Sequence, residues 1–109
     1  MTELPIACTL DAAEMPQRAA DIRALGRDGL VAVERGERSV TLRFRRDPAV
    51  RERLEAVVAA ESSCCAFLDF GLAAESDAGS VLTIAAPEGA EPALHDLVSV
   101  FSADAARAR

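Results

Sequence analysis

Three cysteines and one glutamate carry the sharpest chemistry in this chain. Cys64 and Cys65 are adjacent, Cys8 lies far upstream, and Glu61 precedes the pair in Glu61-Ser62-Ser63-Cys64-Cys65-Ala66-Phe67. On a helix Glu61 sits one turn before both cysteines, at the i+3 and i+4 spacing that makes side chains neighbours. It also falls on the helix's apolar stripe, where a carboxylate is costly unless paired. Beside a thiol such a group serves as general acid or base, or as a metal ligand. Thiolates are soft donors that select Cu(I), Zn(II) or heavier thiophilic ions such as Hg and As(III) over Mg(II) or Ca(II). Three thiols leave a fourth ligand position for Glu61 or water. The candidate metal ligands are therefore Cys8, Cys64, Cys65 and Glu61.

Other readings of the same residues stand beside this one. Free cysteine is among the most buried residue types, and Cys8 alone reads first as a small core hydrophobe. Glu61 could instead reach solvent at a frayed helix end. The carbonyl dipoles at a helix C-terminus disfavour a thiolate, so activation needs a bound cation or a nearby arginine. Adjacent cysteines depart from the CxxC zinc pattern. Their Cα atoms are ~3.8 Å apart, below the ~4.4–6.8 Å that a disulfide prefers, which argues against a structural staple between them. His95, the sole histidine, sits off the apolar stripe of its helix.

The elements that must position these residues follow from periodicity. Leu4, Ile6, Cys8 and Leu10 alternate as on a strand, with Cys8 facing the core. Asp11 and Glu14 match a capping box, and Met15, Ala19, Ile22 and Leu25 recur at helical spacing up to a stop at Gly26. Residues 29–33 and 39–45 read as a hairpin, with Val40, Leu42 and Phe44 on the dry face. Asp47-Pro48 is an N-cap followed by a first-turn proline. The inward stripe of that helix is Val50, Leu54, Val57, Val58, Glu61 and Cys65. Strands follow at 67–72 and 80–86 around the turn Ser76-Asp77-Ala78-Gly79. A last helix carries Leu94, Leu97, Val98 and Phe101.

The order βαββαββα predicts one α+β domain over residues 1–109. It is a sandwich with helices packed on an antiparallel or mixed sheet, in a ferredoxin-like split βαβ arrangement extended by a hairpin. At 109 residues the chain has room for one core. Half of it is apolar and 28% is charged, which fits a globular domain rather than disorder. No apolar run approaches the ~18 residues of a membrane span. A net charge of −6 disfavours nucleic acid as a partner. The N-terminus lacks the features of a secretory signal, so a cytoplasmic setting with free thiols is expected. All 12 basic residues are Arg, which excludes lysine Schiff-base chemistry. Arg43, Arg45, Arg46, Arg51 and Arg53 cluster in sequence and read first as a solvated face. There is no glycine-rich phosphate loop, GxSxG elbow or HExxH.

At Glu61-x-x-Cys64-Cys65-x-Phe67-Leu68-x-Phe70 the chain resembles a family of small bacterial proteins. The likeness extends to Ile6-Ala7-Cys8-Thr9-Leu10 and to Ala86-Pro87-Glu88-Gly89-Ala90. The family carries proline after the paired cysteines, where this chain has Ala66. The resemblance implies surroundings of heavy-metal resistance and mercury-type regulation, hence thiophilic metal handling, and supplies no mechanism. Three functions are thus carried forward. The first is a cytosolic thiol protein binding a soft metal or metalloid ion. The second is a thiol-based redox enzyme with Glu61 as acid or base. The third is an interaction module, such as a homodimer formed through the sheet edge or last helix.

Overall fold

Asp47-Pro48 starts a helix where the sequence places it. The Asp47 side chain accepts hydrogen bonds from the backbone N–H groups of Ala49 (2.8 Å) and Val50 (3.3 Å), and Pro48 fills a position with no donor to satisfy. A computed structural model describes residues 15–103, apart from the side chains of residues 15, 16 and 64. The elements are α1 (Met15–Gly29), β1 (Leu30–Arg35), β2 (Ser39–Phe44), α2 (Pro48–Cys64), β3 (Asp69–Leu72), β4 (Ser80–Ala85) and α3 (Glu91–Ser102). The strand expected at residues 4–10 lies outside the described residues.

The four strands form one antiparallel sheet in the order β1-β2-β4-β3. β4 pairs antiparallel with both β2 and β3, so those two run parallel, with α2 as the crossover between them. This is the split β-α-β unit of a ferredoxin-like α+β fold, and β1 occupies the far edge beside β2. One sheet face is dry: Val40, Leu42, Phe44, Leu82 and Ile84 are essentially fully buried. They pack into one cluster with Ile22 and Leu25 of α1, Val50 and Leu54 of α2, and Leu94, Val98 and Phe101 of α3. The rings of Phe44 and Phe101 meet edge to face at 5.9 Å. Arg43 and Thr83 on the other face are exposed, as an antiparallel sheet permits.

The expected helix stop at Gly26 is corrected, since α1 runs on to Gly29. A Cβ at position 26 would lie 1.7 Å from the carbonyl oxygen of Phe101. The glycine is there to let α1 and α3 approach closely, and it does not interrupt the helix. Gly79 does turn the chain. Its φ is +109°, and a Cβ there would fall 2.0 Å from the Phe44 carbonyl oxygen. The strand expected to begin at Phe67 starts two residues later. Leu68 N–H instead bonds to the Cys65 carbonyl at 2.9 Å, turning the chain out of α2.

Candidate thiol site

α2 ends with its last turn carrying the site. The N–H of Cys65 donates to the Glu61 carbonyl at 2.7 Å, which stacks the two residues one turn apart. Both are buried, Glu61 at 6% exposure and Cys65 at 4%. Sγ of Cys65 lies 3.8 Å from Oε1 of Glu61. The inward placement of Glu61 beside Cys65 is therefore as the stripe predicts.

What allows a carboxylate there is Arg18. Its Nη2 donates to Oε2 of Glu61, an ion pair with side-chain exposures of 23% for Arg18 and 8% for Glu61. Arg18 was missed by the sequence reading, although a signal exists. It precedes Ile22 by four residues and Leu25 by seven, so it extends the inward stripe of α1 as one cation. Glu61 extends that of α2 as one anion. A second ion pair, Arg53 Nη1 to Asp28 Oδ2 at 2.9 Å, joins the opposite ends of the same helices, so α1 and α2 run antiparallel. Between the two pairs lies a groove of about 310 Å³, lined by Asp21, Ala24, Arg53, Ala56, Val57 and Ala60.

The expectation of free thiols does not hold at Cys65, whose sulfur is disulfide-bonded. The side chains of Cys8 and Cys64 lie outside the described residues. Among the described residues, no group of three or more His, Cys, Asp or Glu side chains gathers to hold an ion. His95 is exposed on α3, away from the buried stripe.

The arginine cluster is partnered. Arg43 meets Glu34, Arg45 meets Asp47, and Arg46 meets Asp77. Arg51 departs most from a solvated face. It bonds Glu55, the Ala73 carbonyl at 2.7 Å and the hydroxyl of buried Ser80, tying α2 to the end of β3 and the start of β4. No helix among the described residues is long and apolar enough to cross a membrane. Set against known proteins, the chain matches no family model, no curated protein and no solved structure.

Proposed function

We propose that this chain is a cytosolic thiol–disulfide exchange protein working through Cys65. The observation that carries the reading is a disulfide-bonded Cys65 at the buried end of α2 with a carboxylate oxygen 3.8 Å from its sulfur. Disulfides in a reducing compartment are usually transient, catalytic or redox-sensing. The chain's other cysteines, Cys8 and Cys64, are the available partners.

Cys65 is buried, so an incoming thiolate attacks the partner sulfur. A new S–S bond forms there, the old one breaks, and its electron pair leaves with the Cys65 sulfur, which takes up a proton. A second thiol of the same reductant then displaces the mixed disulfide, leaving the reductant oxidised and two protein thiols in place. The reductant is a dithiol, and two electrons and two protons are transferred in all. Glu61, held by Arg18, is the carboxylate beside the departing sulfur.

The same convergence of sulfur and carboxylate supports a second reading. Reduced, Cys65 with Cys8 and Cys64 would bind a soft ion of the Hg, Cu(I), As(III) or Zn class, with Glu61 at the margin because Arg18 already holds it.

One experiment separates the readings. The protein is equilibrated with dithiothreitol at graded poise, alkylated, and mapped by mass spectrometry, and the reduced form is melted with each ion. Exchange predicts a reversible Cys65 disulfide, lost in Cys65→Ser, and melts unmoved by ions. A rise in Tm with a soft ion, without reversible disulfide formation, moves the assignment to the second reading. Cys65 alkylated at every poise, with unmoved melts, ends both.

A further inference from the structure

We propose that Arg18 is the positioning residue of this thiol site, compensating the carboxylate so that negative charge can develop on the Cys65 sulfur. The inference rests on the exchange reading above. Exchange leaves Cys65 briefly anionic, whether it departs from a disulfide or attacks one. A carboxylate oxygen, Oε1 of Glu61, lies 3.8 Å away. Both residues are almost wholly buried, and two like charges in contact there repel far more strongly than in water.

The guanidinium answers this in two ways. It neutralises the carboxylate, and through the contact of Nη2 with Oε2 it fixes the carboxylate plane, leaving Oε1 toward the sulfur. It reaches the site from a different helix, so exchange at the end of α2 depends on the seating of α1. The dipole of α2 offers no help, because its C-terminal carbonyls disfavour an anion. Arg18 supplies the cation that the helix end lacks.

The test is the rate at which dithiothreitol releases Cys65 at fixed pH, followed by alkylation and mass spectrometry on the full chain. Arg18→Gln leaves the carboxylate uncompensated and is expected to slow release ~10-fold or more, while Arg18→Lys stays within ~3-fold of wild type. Arg18→Gln/Glu61→Gln removes both charges and is expected to recover to within ~3-fold as well. A role in packing alone would not be repaired by removing the second charge. The proposal is overturned if folded Arg18→Gln exchanges at the wild-type rate, or if the double variant is as slow as the single one. Should Arg18→Gln fail to fold, Arg18→Lys and the double variant decide it, since slow exchange in both overturns the proposal. Wild type that does not exchange at all ends the exchange reading itself.

Discussion

A carboxylate at the buried end of a helix is stable only in company, and among the described residues the company of Glu61 is the guanidinium of Arg18. Removing one member of such a pair costs more than removing both, because the survivor is left charged and desolvated. Arg18 is about a quarter exposed, so the full penalty of a deeply buried pair does not apply. Arg18→Met is expected to lower unfolding stability by about 2–3 kcal/mol. Arg18→Met/Glu61→Leu is expected to regain most of that loss. Urea titration at neutral pH checks both, and a double variant as unstable as the single one would refute the pairing. The site was half legible in sequence for the same reason. Glu61 and Cys65 are neighbours by helical spacing, which a single chain reveals. Arg18 reaches Glu61 across 43 positions, and no local period encodes that. Only the mismatch of one lone cation and one lone anion on two apolar stripes points to it.

Elements were read correctly where the local chemistry is self-sufficient. α2 begins at Asp47-Pro48 because cap and proline act within one turn. β2 alternates because its partners on both sides keep one face dry. The end of α1 was misread because Gly26 serves a contact made in three dimensions. A glycine costs a helix interior about 1 kcal/mol relative to alanine, so its presence there requires a compensating gain. That gain is the approach of α3, where the opposing atom is a backbone carbonyl that cannot rotate away. Gly26→Ala is therefore expected to destabilise by about 2 kcal/mol or more, overpacking outweighing the better helix propensity. A thermal melt checks this, and an unchanged or raised Tm would mean that α1 and α3 slide apart without loss.

For the whole molecule, charges hold the places that the apolar core does not reach. The end of α1, the end of β2 and the start of α2 meet at one corner. There Arg45 bonds both the Asp28 carbonyl and the Asp47 carboxylate, and Arg53 bonds the Asp28 carboxylate. Hydrogen bonds from Arg53 and then Arg27 hold the Asp28 carboxyl below its usual value of 3.8. Asp47 is held below the same value by Arg45 first and then by the N–H groups of Ala49 and Val50. A depressed folded pKa means that, around pH 3.8, the unfolded chain binds protons which the native one does not, so stability rises with pH there. The contribution is present above the unfolded value and is lost as pH falls through the lower folded value. Both groups are half-buried at most and reached by solvent, so the effect is modest and screened by salt. The expected result is a urea midpoint that is level from pH 7 to about pH 5 and falls below about pH 4. The acid slope should be shallower in Asp28→Asn and Asp47→Asn, and shallower again with both. Arg18 and Glu61 sit at the other end of the α1–α2 seam. A double variant as acid-sensitive as wild type would therefore place the lost stability elsewhere in the molecule and leave the corner without its assigned role.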